Sequence, residues 1–218
     1  MVVCRRMFST RWVLSASKKF FGRIAMAIPA AATLYERYFS PWIPEERAST
    51  HPGLLPDMEQ IELPAGGHIR DIHPLMPDSR PPMKEKVDAM GQACEADWQN
   101  LLKLTPAVSL AGIAAYDAWC TPAQLEGILK NSAPNNFSNP YLILCCECGA
   151  AVGEVLQREN PQLQWIYDWP YWDSFLFDLN TMTKFHVFHW AVKRMSSDGE
   201  EFALKDIVDG ALDYLSKP

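Results

Sequence analysis

Proline is concentrated in one stretch of this 218-residue sequence, and that stretch limits where helices can form. Nine of the 17 prolines lie in residues 41–82, where Gly66 and Gly67 add further freedom. Proline lacks a backbone N–H and fixes φ, so a long helix does not run through such a region. We therefore predict a proline-rich linker over residues 36–82, with a short strand near residues 60–63, and one folded domain over residues 83–218.

The first half of that domain has helical signals. Apolar residues from Val87 to Leu102 recur at steps of three and four, which places them on one helix face. Three later segments begin with Thr or Asn followed directly by Pro, the pattern of a capping side chain before a first-turn proline. We predict helices over residues 83–103, 105–119, 121–130 and 141–159.

After Pro161 the spacing of apolar residues changes from helical to alternating. Alternating aromatic residues predict a strand over 165–171, and two further strands follow over 172–179 and 184–192, the last turning helical near His189. A final helix is predicted over 203–215. Helices followed by adjacent strands predict an α+β fold, with the helices packed on one face of a small antiparallel sheet.

Basic residues are concentrated at the start of the chain. Residues 1–35 carry a net charge of +6 and no acidic residue, so residues 36–218 carry -12. Three readings stay open for this arm: a signal peptide, an amphipathic transit-like or membrane-surface arm, or a segment that is disordered or, if translation begins at Met26, not translated. Its apolar stretch, residues 24–34, is too short to span a bilayer. The acidic remainder argues against nucleic acid, and the expected location is cytoplasmic, with export or membrane association through residues 1–35 as the alternative.

Cysteine and histidine residues form the clearest candidate for chemistry. Cys145 and Cys148 give a C-x-x-C pair, and His186 and His189 give an H-x-x-H pair, which together could supply ligands for zinc or a thiol reaction. The C-x-x-C pair lies inside a predicted helix, however, where buried cysteine behaves as a small apolar residue. No G-x-S-x-G or glycine-rich phosphate motif is present. We therefore assign no metal, no cofactor and no catalytic residue.

Aromatic residues are crowded into a short part of the chain, since residues 165–190 contain ten of the 25. Most would pack between sheet and helices, but the number exceeds what one sheet face buries. Tryptophan and tyrosine are enriched at interface hot spots. The candidate binding surface consists of exposed aromatic residues beside two acids: Trp169, Tyr171, Trp172, Asp168 and Asp173.

Residues 117–199 resemble an uncharacterised bacterial α+β domain family. The matching segments are GAAVGEVL at 149–156, which is similar to the family's G-A-Y-L-G-E-V-L helix, then QW at 164–165 and the stretch 185–194. The resemblance implies a bacterial origin and a protein-binding role, because similar domains occur near toxin-immunity genes. It implies no catalytic residues.

These observations predict a non-enzymatic protein-binding domain, of the immunity type if the resemblance holds. Its acidic body would meet a basic partner surface, with exposed aromatic residues as anchors. Two alternatives stay open: a metal- or thiol-dependent enzyme that uses Cys145, Cys148, His186 and His189, and a membrane-associated protein anchored by residues 1–35. The oligomeric state stays open as well.

Overall fold

The computed structural model describes residues 27–62 and 80–217. The helices are α1 (Ala31–Tyr38), α2 (Glu45–Ala48), α3 (Arg80–Leu102), α4 (Leu110–Trp119), α5 (Pro122–Lys130), α6 (Pro140–Glu159), α7 (Val187–Arg194) and α8 (Leu204–Leu215). The strands are β1 (Met58–Gln60), β2 (Gln164–Ile166), β3 (Phe175–Asp178) and β4 (Thr183–Phe185). Short 3₁₀ turns lie at Ser40–Trp42, Tyr171–Asp173 and Ser197–Glu200.

The strands of the described residues form one antiparallel sheet in the order β1-β4-β3-β2. Every residue of β3 is buried, whereas every residue of β1, at the edge, is exposed. Helices α6 and α7 both pack against β3. This arrangement confirms the predicted α+β class.

Helix α6 is the centre of the molecule, because 13 of its 20 residues are buried. It packs against α3 on one side and α7 on another. Two glycines permit the close approach that their spacing suggested. A Cβ on Gly149 would lie 2.5 Å from Phe188 Cδ1, and one on Gly153 would overlap the ring of Trp165.

Side-chain caps set two helix starts where the sequence predicted them. Thr121 Oγ1 accepts from the Gln124 N–H at the start of α5, and Asn139 Oδ1 accepts from the Leu142 N–H at the start of α6. These bonds satisfy N–H groups that have no partner inside a first helical turn. Helix α3 also matches its predicted span closely.

Helix α4 begins later than predicted. Ser109, not Thr105, is its cap, and Ser109 Oγ accepts from the Gly112 N–H. The Glu95 carboxylate of α3 accepts from the N–H groups of Ala107 and Val108, at 2.9 and 2.5 Å. Those tertiary bonds keep the preceding residues out of the helix, so the local Thr-Pro signal was misleading. Only three residues of α4 are buried, and the predicted central helix is instead α6.

The strands are also shorter than predicted. The predicted strand over 165–171 ends at Ile166, after which the Asp168 N–H donates to Ser174 Oγ at 3.0 Å. That bond draws the chain into a loop and a 3₁₀ turn before β3 begins. The third predicted strand becomes helical at Val187, two residues earlier than expected.

Residues 31–61 belong to the folded domain, although the sequence assigned them to an arm and a linker. Tyr35 and Tyr38 of α1 are buried in the main core, and β1 pairs with β4. The signal was present in the sequence, since apolar residues at 31, 34, 35 and 38 have helical spacing. The prolines do limit helix length: α2, between Pro41 and Pro56, has four residues. The rest of the predicted arm and linker, residues 1–26 and 63–79, lies outside the described residues.

Within residues 27–62 and 80–217, no helix has both the length and the apolar character needed to cross a bilayer.

Candidate functional site

The structure exposes only one of the three predicted surface aromatic residues. Trp169 is 38% exposed, whereas Tyr171 and Trp172 are 6% and 1% exposed. The expectation that these two side chains lie at the surface is therefore wrong. The 3₁₀ turn at Tyr171–Asp173 directs the Trp172 ring inward, edge-on to Phe39, the residue that follows α1, with ring centroids 5.3 Å apart.

Trp169 is nevertheless part of an aromatic cluster that reaches solvent. Phe137, from the loop before α6, is 37% exposed and lies 6.0 Å from the Tyr171 ring. Trp42 packs edge-on against Phe137 at 5.0 Å, and Trp169 packs on Tyr171 at 5.9 Å. Lys86 of α3 places its ammonium 4.9 Å from the centroid of the Trp169 ring. We call Trp42, Phe137 and Trp169 the aromatic surface.

The two predicted acids, Asp168 and Asp173, are joined by an arginine that sequence reasoning missed. Arg47 donates from Nη1 to Asp168 Oδ1 at 3.1 Å and from Nη2 to Asp173 Oδ2 at 3.3 Å. Arg47 also donates to the Trp169 carbonyl. Asp168 is half-buried and the side chain of Asp173 is 4% exposed. Their charges therefore stabilise the fold locally rather than facing a partner.

Asp173 also accepts a hydrogen bond from a histidine of the proline-rich region, His51. His51 Nδ1 accepts from the Gly53 N–H at 3.0 Å, so the neutral ring carries its proton on Nε2. That Nε2–H donates to Asp173 Oδ2 at 3.1 Å. The other oxygen, Oδ1, lies 3.9 Å from His189 Nε2, which is too far for a hydrogen bond.

His189 has the same proton arrangement. Its Nδ1 accepts from the Leu55 N–H at 2.9 Å, which leaves the proton of the neutral ring on Nε2. The ring stacks on Tyr35 at 5.2 Å. Burial, together with the charges of His186 and Lys193, lowers the pKa of His189 well below its ordinary value.

His186 lies at the N-terminus of α7, one turn before His189, with the two rings 6.0 Å apart. Its Nε2 is 3.6 Å from a Glu59 carboxylate oxygen. Burial first, and then the neighbouring Lys184, lowers the pKa of His186 to about 4, although Glu59 acts in the opposite direction. Both histidines are therefore neutral at pH 7.

Unsatisfied polar atoms are concentrated around these rings. Buried polar atoms normally have hydrogen-bond partners, yet six atoms of this group have none of acceptable geometry. Burial and the Asp173 carboxylate both raise the pKa of Tyr35, so its hydroxyl stays protonated. The six atoms are Tyr35 Oη, Trp172 Nε1, Asp173 Oδ1, His186 Nδ1, His186 Nε2 and His189 Nε2.

The cysteine pair does not join the histidine pair. Cys145 and Cys148 are buried in α6, where burial raises both thiol pKa values well above the ordinary value. The Cys145 thiol contacts Met195 Sδ at 3.6 Å. No three or more His, Cys, Asp or Glu side chains in the described ranges are arranged to hold a metal ion. His189 Nε2, in addition, carries the proton that a metal would have to displace.

Glu147 is an acidic residue of α6 in an unusual environment. It is 5% exposed, and its pKa is raised to about 8 by burial and by the nearby Asp97 carboxylate. At pH 7 the protonated form therefore predominates. Burial beside Asp97 therefore disfavours a negative charge on Glu147.

No family model matches this sequence, and no curated protein or solved structure shows a significant match to it. The resemblance of residues 117–199 to a bacterial domain family stays a prediction.

Proposed function

We propose that this protein is a non-enzymatic protein-binding domain that contacts a basic partner through the aromatic surface. The observation that carries the proposal is the exposure of Phe137 and Trp169, at 37% and 38%, within one continuous aromatic cluster. Aromatic residues that are rigidly supported and partly exposed are typical anchors of protein interfaces.

The support beneath the aromatic surface favours binding over simple packing. Tyr171 lies between Phe137 and Trp169, and Lys86 fixes one face of the Trp169 ring. Rings held in this way lose little conformational freedom when a partner docks, which favours affinity. The three side chains of the aromatic surface, of which Trp42 is half-buried, come from separate segments of the chain, so the fold brings them together.

Charge supports a basic partner. Glu45 and Glu46 of α2 are exposed and follow Trp42 closely in the chain. Residues 36–218 as a whole carry a net charge of -12. Such a field increases the association rate of a positively charged protein and repels nucleic acid. An immunity-type role, with a basic toxin or effector as the partner, is the specific form of this proposal that the family resemblance suggests.

The enzymatic alternative has less support. The buried cysteines have raised pKa values, which disfavour the reactive thiolate. His186 and His189 face Glu59 and Asp173 instead of the thiols.

The test compares Trp169→Ala and Phe137→Ala with Leu179→Ala, a matched control that removes another exposed apolar side chain, 46% exposed. A lysate of the source organism is passed over the immobilised wild type, the control and the two variants. Proteins that bind the wild type and the control, but not the two variants, are purified. Their binding is then titrated calorimetrically. We expect each aromatic variant to raise Kd about tenfold or more, since anchor residues contribute about 1.4 kcal/mol or more.

Salt dependence tests the charge argument separately. Binding to a basic partner should weaken as ionic strength increases. A partner whose Kd is unchanged by both aromatic substitutions, or a failure of any protein to distinguish wild type from these variants, contradicts the proposed surface.

A further inference from the structure

Residues 52–56, which we call the strap, lie beside the histidine cluster between two anchored ends. His51 forms one end, where its Nε2–H donates to Asp173 Oδ2 at 3.1 Å. Asp57 forms the other, where its carbonyl accepts from the Trp190 Nε1–H at 2.9 Å. No strap residue is fully buried. A segment with so few buried apolar groups opens locally at a lower free energy than the core.

The strap lies against a pair of buried stacked rings, Tyr35 and His189. Their centroids are 5.2 Å apart, and each residue is 1% exposed.

Among the described residues, one hydrogen bond connects the middle of the strap directly to these rings. The Leu55 N–H donates to His189 Nδ1 at 2.9 Å, from a ring that is 1% exposed. The bond requires a lone pair on Nδ1. A proton added to a neutral ring whose Nε2 already carries hydrogen must go to Nδ1. Protonation of His189 therefore converts Nδ1 from an acceptor into a donor. The Nδ1–H of the ring and the Leu55 N–H then point at each other, and the hydrogen bond is lost.

We propose that the strap is released by acid: protonation of His189 breaks its bond to Leu55 and uncovers the His189 ring beside Tyr35. His51 and Asp57 stay attached, so the strap opens as a loop between fixed ends.

The charges around His189 favour opening on protonation. In the closed state, burial, His186 and Lys193 lower the pKa of His189, whereas an exposed imidazole in the open state has an ordinary pKa of about 6.5. Asp173 attracts the protonated ring and acts in the opposite direction. The titratable and charged groups that face the two α7 histidines are Tyr35, His51, Glu59, Asp173, Lys184 and Lys193.

The sign and size of the effect follow from proton linkage. A histidine whose pKa is lower in the closed state than in the open state does not bias the two states above about pH 6.5, where it is neutral in both. As the pH falls below that value it favours the open state, which binds the proton more tightly. For one histidine, the open-to-closed ratio should increase about 30-fold between about pH 7.5 and about pH 5.

The experiment measures amide hydrogen exchange of Gly53 and Leu55 in the full chain by NMR, corrected for the intrinsic pH dependence of exchange. His189→Asn keeps an acceptor oxygen near the position of Nδ1 but does not titrate, so we expect its strap exchange to be independent of pH. The matched control His186→Asn should retain the 30-fold increase. Amides of α6, such as Val152, report global unfolding.

Three results would overturn the proposal. They are a wild-type strap whose corrected exchange does not change with pH, a His189→Asn variant that keeps the increase, and α6 amides that become labile together with Gly53 and Leu55. The wild-type measurement alone is decisive if His189→Asn does not fold, because the chemical shifts of the Leu55 amide and the His189 ring must then titrate together.

Discussion

Replacing Gly149 by alanine tests the close packing of α6 against α7. The added Cβ would lie 2.5 Å from Phe188 Cδ1 and 2.7 Å from Phe188 Cα. The ring can rotate, but the Cα can move only if α7 shifts. Overpacking of this kind costs up to about 3 kcal/mol, and alanine recovers about 1 kcal/mol of helix propensity. We expect the free energy of unfolding to fall by about 2 kcal/mol.

The assay is urea unfolding at pH 7, with the slope of the transition compared between proteins. The corresponding decrease in Tm is about 4–8 °C for a chain of this size. Gly127→Ala and Gly210→Ala are matched controls, since nothing lies within 4 Å of the added Cβ in either case. Both controls should gain about 0.5–1 kcal/mol. A Gly149→Ala protein as stable as these controls would show that Phe188 does not limit the space at this position.

Three further predictions concern buried groups. Burial raises the folded-state pKa of Glu147 from 4.5 to about 8, so the unfolding free energy should decline as the pH increases through that interval. In urea titrations, Glu147→Gln should flatten this dependence on pH. An unchanged dependence in the variant would contradict the prediction. Arg194 pairs with Asp117 at 2.6 Å and is largely buried, so Arg194→Ala should lose about 3 kcal/mol of unfolding free energy; a loss under about 1 kcal/mol would contradict that pairing. In a Cys4→Ser protein the remaining five thiols are buried, so a disulfide reagent should modify them rapidly only in denaturant, and rapid modification of the native protein would show that they are accessible.

The helices could be predicted because their signals are local. Thr121 and Asn139 cap neighbouring backbone groups, and such caps act within one turn. Thr105 shows the limit of this reasoning. Its capping pattern is overridden by Glu95, which is distant in sequence and reaches Ala107 and Val108 across the fold. Pairing between elements is not encoded in any single segment.

The candidate site was harder to predict because half of it comes from the proline-rich region. Aromatic crowding drew attention to Trp169, which is exposed, but alternation could not show that Trp172 faces inward. Phe137 lies among turn-forming residues, and nothing near it in the sequence indicates that its ring packs against Trp42 and Tyr171. Arg47 and His51 belong to a segment whose prolines predicted a linker, and their roles appear only when Asp173 is placed beside them.

The docking of α1 and β1 has a consequence for how the domain is made. The Ala31 N–H donates to the Asp198 carboxylate across 167 positions, and Glu59 pairs with Lys184 across 125. During synthesis these early segments emerge long before their partners exist. The apolar face of the amphipathic α1 therefore stays uncovered until most of the chain has left the ribosome. Closure of the fold is therefore a late, long-range event, and nascent chains would offer chaperones a binding site at residues 31–39.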